Sequence, residues 1–85
     1  MNTIYYKESG YNKTIYNFFI IERSTKAFVF LRHLNKSDKG LGVVAGEIDN
    51  NTEVVKLSKV KFNVYFTEWN NEPLIENHNY TYTGA

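Results

Sequence analysis

The sequence predicts an all-β domain: a small, strongly bent antiparallel sheet, most simply a five- to six-stranded barrel of SH3- or OB-like size. Three observations carry this. Apolar residues recur with a period of two along most of the chain, turn-forming residues interrupt them every 8–12 positions, and no helical i, i+3, i+4 stripe of any length is visible.

Each element follows in order. Residues 9–14, Ser-Gly-Tyr-Asn-Lys-Thr, have the composition of a turn that leads into a strand. In residues 15–22 both alternating sets are largely apolar, Ile15, Phe19 and Ile21 on one side and Tyr16, Phe18 and Ile20 on the other, which predicts a central strand covered on both faces. After the polar break at 23–25, residues 26–34 place Ala27, Val29 and Leu31 on one side and Phe28, Phe30 and Arg32 on the other, and the two runs read as a hairpin. Residues 35–40 read as a turn ending in Gly40, and 41–48 as a third strand weakened by Gly42 and Gly46. A turn at 49–51 precedes a short strand over 52–57. The clearest alternation follows, Val60, Phe62, Val64 and Phe66 against Lys59, Lys61, Asn63, Tyr65 and Thr67, and it predicts one more strand with one dry and one wet face. Residues 70–73 read as a loop, and the last dozen residues, with Tyr80 and Tyr82, as a final extended segment.

Eighty-five residues are expected to form one domain, residues 1–85, with no second domain or linker visible in the sequence. At this size roughly 60–65% of the unfolded surface can be buried, so the 13 Phe and Tyr residues and the single Trp matter for stability. The absence of cysteine excludes disulfides and thiolate metal sites, and His33 and His78 are too far apart in the chain to suggest a structural zinc. Neither a metal nor another cofactor is expected. Net charge is +1, with seven Lys or Arg against three acids in residues 1–42 and three against six in 43–85. Neither half is a polybasic arm or an acidic tail, which argues against non-specific duplex binding. The N-terminus shows no apolar signal core and no run approaches the roughly 20 apolar residues of a membrane span, so a cytoplasmic location without membrane association is expected.

Catalytic chemistry finds little support. No spacing singles out a pair among the nine carboxylates and two histidines. Residues 40–46, Gly-Leu-Gly-Val-Val-Ala-Gly, lead into a strand and lack the helix N-terminus that a phosphate loop needs. A non-enzymatic protein is expected. Lys56, Lys59 and Lys61 beside Tyr65 form a possible single-stranded nucleic-acid face of the OB kind, set against the plainer reading that lysines solvate a strand and discourage edge pairing. The more specific combination joins Tyr11 and Thr14 of the opening turn with Arg32, Trp69 and Tyr80. A guanidinium at Arg32 can hold a phosphate or carboxylate in bidentate fashion, and Trp69 and the tyrosines offer flat surfaces for a base. The plainer alternative makes Trp69 a core plug, Arg32 an ion-pair partner and Thr14 a turn cap.

The order Gly10-Tyr11-x-x-Thr14, Val29-x-Leu31-Arg32 and Trp69-x-x-x-Pro73, with Tyr80 and Tyr82 near the end, resembles a family of small orphan proteins found in phages, plasmids and bacterial genomes. The resemblance spans residues 9–34 and 69–82. Asn12-Lys13 stand where that pattern has Asp-Gln, and Asn71-Glu72 where it has Gly-Lys, a charge reversal that weakens any anion-binding role for the second loop. What the resemblance implies is a setting: a mobile-element accessory protein that counters host defence by binding. The first expectation is capture of a nucleotide-type immune signal, with Arg32 on its phosphate, Tyr11 or Trp69 on its base, Thr14 donating a hydrogen bond, and a homo-oligomer supplying enclosing walls. The alternatives are inhibition of a host defence nuclease or effector through an aromatic surface, and, given less weight, a single-stranded nucleic-acid-binding β-barrel.

Overall fold

Residues 15–38 dictate the centre of the fold, because two consecutive strands there have almost no polar face to spare. The computed structural model describes residues 3–10 and 14–76. Strands β1 (Ile4–Ser9), β2 (Ile15–Ser24), β3 (Phe28–Asp38), β4 (Val43–Ile48) and β5 (Val55–Ser58) precede a helix α1 (Lys59–Tyr65) and a short β6 (Phe66–Glu68). All pairings are antiparallel and the strand order is β4-β3-β2-β1-β6. As its doubly apolar sequence requires, β2 lies in the middle, with Phe18, Phe19 and Ile20 buried in succession.

The 11 residues of β3 serve two partners on one edge: Phe28–Leu31 pair with β5 and Leu34–Asp38 with β4. Between them the amide of Asp49 donates to the carbonyl of His33 at 2.9 Å, so the β4–β5 turn is pinned to the middle of β3. Two clusters form the core, one on each face of the sheet. Phe18, Ile20, Leu34, Val43 and Trp69 make the first; Phe19, Val29, Leu31 and Phe62 make the second. The first face is covered by a strap, residues 69–76. The amide of Trp69 donates to the carbonyl of Ile4 at the β1 edge (2.8 Å), and Leu74 exchanges two hydrogen bonds with Val43 at the β4 edge (2.8 and 2.9 Å). The second face is covered by α1. Phe62 lies edge-on to Tyr5 and stacks on Phe66, which meets Phe19 edge-on.

The bent antiparallel sheet is as expected, but it is not closed into a barrel; the strap crosses from edge to edge instead. Of the turn expected over 35–40, residues 35–38 are the end of β3, and β1 is a strand that the sequence reading did not assign. The main correction concerns residues 59–65, expected as a strand and found as a helix. Val60, Phe62, Val64 and Phe66 contain two i, i+4 pairs as well as an alternation, so the same four residues satisfy both periods. A strand there would need a neighbour for its backbone groups, whereas a helix satisfies its own. Ser58 caps it, its hydroxyl accepting from the Lys61 amide at 3.2 Å. Phe62 is then buried on the sheet while Val60 and Val64 are exposed. No helix among the described residues is long and apolar enough to cross a membrane.

Candidate functional site

Of the residues singled out from sequence, Thr14, Arg32 and Trp69 are described, and Thr14 lies far from Arg32. Tyr11 and Tyr80 lie outside the described residues. Thr14 immediately precedes β2, and Arg32 pairs with Ile20 six residues further along it, which separates the two by about 20 Å of strand. Trp69 is buried against Phe18 (ring centroids 5.0 Å apart), and its indole N–H donates to the carbonyl of Glu72 at 2.8 Å. Its polar edge is thereby used inside the strap. Asn70 and Glu72 close the turn beside it, the Asn70 side-chain oxygen accepting from the Glu72 amide at 3.1 Å. Arg32 donates from Nε to Glu22 at 2.8 Å and places a second guanidinium nitrogen 2.7 Å from the same carboxylate oxygen.

A different group does come together around Arg32. Phe28, Phe30 and Arg32 alternate on the first face of β3, as their spacing requires, but among the described residues the strap covers only the other half of that face. Phe28 is exposed, and Phe30 and Arg32 are half-buried. From β5, Lys56 stands directly opposite Phe30, and its ammonium lies 4.4 Å from the Phe28 ring centroid and 6.0 Å from that of Phe30. From β2, the Arg23 guanidinium lies 4.2 Å over the Phe30 ring. The β2–β3 register shifts between Ile21 and Arg23, one extra residue lying on β2. Because of this bulge the consecutive residues Glu22 and Arg23 both serve the first face, Glu22 bonding Arg32 and Arg23 capping Phe30.

The result is an open platform of two phenyl rings rimmed by three cations and one carboxylate. A cation over a ring face is held by the ring quadrupole, worth about 0.5–1 kcal/mol at an exposed site. That weak hold can be exchanged for a ligand's ring or phosphate. The Phe28-x-Phe30-x-Arg32 row was visible in the sequence. Lys56 was singled out with Lys59, Lys61 and Tyr65, but its place beside Phe28 and Phe30 was not legible, since it arrives from a non-adjacent strand, and Arg23 arrives through a bulge that alternation does not reveal.

A second concavity of about 370 Å³ lies at the opposite end of β3, lined by Asp38, Leu41, Val43, Ile75 and Glu76. Its wall carries two carboxylates, and Glu76 is ion-paired with Lys36 and accepts from the Tyr16 amide at 2.9 Å. Burial and the nearby Glu8, Tyr6 and Glu76 push the Tyr16 phenol above its ordinary range, so the ring there stays neutral. Among the described residues that line this concavity none is cationic. Among the described residues no group of three or more His, Asp or Glu is placed to hold a metal ion. Compared with known proteins, the chain matches no family model, no curated protein and no solved structure.

Proposed function

We propose that the chain is a non-enzymatic binding protein that takes single-stranded nucleic acid on the open half of its first sheet face. The observation that supports this reading is the pair Phe28 and Phe30, side by side on one face, covered among the described residues by the exchangeable cations Lys56 and Arg23 over their rings. Bases stack on such rings for about 1–3 kcal/mol each irrespective of sequence, and on guanidinium planes in the same manner. Charge complements the geometry. Lys26 lies in the β2–β3 turn, and Lys59 begins α1 with its amide bonded to the Ala27 carbonyl at 3.0 Å, so both add positive potential at this end.

The flatness of the platform favours a strand over a free nucleotide, because small ligands are usually held in concave sites that enclose most of their surface. In the mobile-element setting that the resemblance implies, such a protein would act in the host cytoplasm on nucleic acid that a defence system produces or attacks. A second reading, a protein inhibitor of a host defence factor, draws on a separate observation: Val60, Val64 and Tyr65 on α1 are exposed. That reading predicts a stable complex with a host protein that survives loss of the platform.

The test is fluorescence anisotropy of labelled oligothymidylate and oligouridylate over a range of salt. Binding should weaken as salt rises, and Phe28→Ala should lower affinity by about 5- to 100-fold while leaving the fold intact. An absence of binding at low salt, or affinity indifferent to Phe28, would overturn the proposal.

A further inference from the structure

The platform has ends as well as a face, and its ends set how much ligand it can take. Phe28 is the first residue of β3, and the chain turns immediately before it, the Thr25 amide donating to the Phe28 carbonyl at 2.8 Å and the Phe28 amide to the Thr25 hydroxyl at 3.1 Å. No further ring lies beyond Phe28 on that strand. In the other direction the next side chain on the same face is Arg32, whose charge is already matched by Glu22. Two rings therefore stand between a turn and a neutralised pair.

Their spacing is informative. Residues i and i+2 of a strand lie about 6.6–6.8 Å apart, roughly twice the 3.4 Å between stacked neighbours in a duplex strand. Two adjacent bases cannot lie one on each ring and remain stacked on each other. The nucleotide chain must be extended across them, as single-stranded targets with splayed bases are. Lys56 completes the pattern. Its ammonium lies over the Phe28 ring, 4.4 Å from the centroid, and 6.0 Å from that of Phe30, so a base that enters on Phe28 displaces it toward the space between the two rings. In an extended dinucleotide, the group that lies between two splayed bases and to one side of them is the phosphodiester.

We propose that the platform binds one dinucleotide step, the two bases lying on Phe28 and Phe30 and the phosphate that joins them on Lys56, with the Arg23 guanidinium as the outer wall of the Phe30 position. This rests on the nucleic-acid reading above and adds its register: two bases, one specifically held phosphate. The chemistry recognised is a pair of unstacked bases on a shared phosphate, and it is offered both by a linear strand and by a cyclic dinucleotide messenger.

The experiment is calorimetric or anisotropy titration with thymidine monophosphate, the dinucleotide TpT, the pentamer, the decamer and a cyclic dinucleotide, each against the intact protein and Lys56→Gln. Lys56 is exposed, and circular dichroism verifies that the variant is folded. Affinity should rise at least about tenfold from the mononucleotide to TpT, and from TpT to the decamer only by the number of ways a dinucleotide can be placed. Lys56→Gln should reduce the salt slope of the decamer by about one and abolish the advantage of TpT over the monomer. A cyclic dinucleotide that binds at least as well as TpT also supports the two-base site and names a messenger as its occupant. Affinity that keeps climbing steeply to the decamer, or a salt slope unchanged in Lys56→Gln, would overturn the dinucleotide assignment while leaving strand binding in place. No binding at any length would overturn both.

Discussion

Arg32 shows how one neighbour decides what a charged side chain can do. Its position at the rim of an apolar strand was legible from sequence, and so were its fitness for a phosphate and the plainer reading as an ion-pair partner; the identity of that partner, Glu22, was not, because it depends on the β2–β3 register that sets Ile20 opposite Arg32. Trp69 is the converse case, a residue whose stacking surface the fold spends on Phe18. Asp49 gives the residue-scale prediction. Its carboxyl is held below the ordinary range, chiefly by the Thr52 hydroxyl, then by the Asn51 amide, with the charge of His33 adding to both. A carboxyl whose folded pKa is depressed contributes stability when ionised and loses it as the pH falls through that value. In urea unfolding the wild type should therefore lose this contribution below about pH 4, whereas Asp49→Asn should start lower at neutral pH and fall less steeply on acidification. Parallel profiles for the two proteins would show that the turn gains nothing from the charge.

Among elements, the alternation of β2 and β3 was readable because each buries side chains on both faces, and the helix was not, because a seven-residue segment offers too few turns to separate two periods. The strap was equally hidden. Nothing in the sequence of residues 69–76 says that Leu74 meets Val43 across the whole width of the sheet. The closeness of that approach rests on Gly42, whose φ is +138° and whose missing Cβ would stand 2.7 Å from the Leu74 carbonyl oxygen. Gly40 also has positive φ (+84°), but a Cβ there would meet nothing within 4 Å. Gly40→Ala should then cost about 1–2 kcal/mol, the penalty of the left-handed backbone alone, and Gly42→Ala clearly more, since it also displaces the strap. Equal losses of stability in chemical denaturation would refute the close contact.

For the whole molecule, the fold class follows from periodicity, while the charge imbalance between the halves of the sequence does not survive as a map of the surface. Lys56 and Lys59 of the acidic half join Arg23, Lys26 and Arg32 of the basic half at one end of the sheet. Cooperativity belongs to this scale too. The strap and α1 cover opposite faces, but the consecutive residues Phe18 and Phe19 of β2 supply the centre of one cluster and the side of the other. An isolated helix of seven residues has no stability of its own, so neither cover should come off without the sheet. Emission of Trp69, which reports the strap, and far-UV ellipticity, which reports the sheet and helix, should follow one transition in urea. An earlier shift of Trp69 emission would reveal a strap that opens independently.

The bulge at residues 21–23 gives the proposed binding face an unusual genetic vulnerability. Because strand side chains alternate, removing a single residue there would straighten the β2–β3 ladder and return Arg23 and Glu22 to opposite faces. The cation over Phe30 and the anchor of Arg32 could no longer both be kept, although every aromatic on β3 would still be present. Two lineages of this chain that differ by one codon at that point would share a core and differ in what they bind, so a gap in an alignment at residues 21–23 would mark a change of ligand where a substitution table would show conservation.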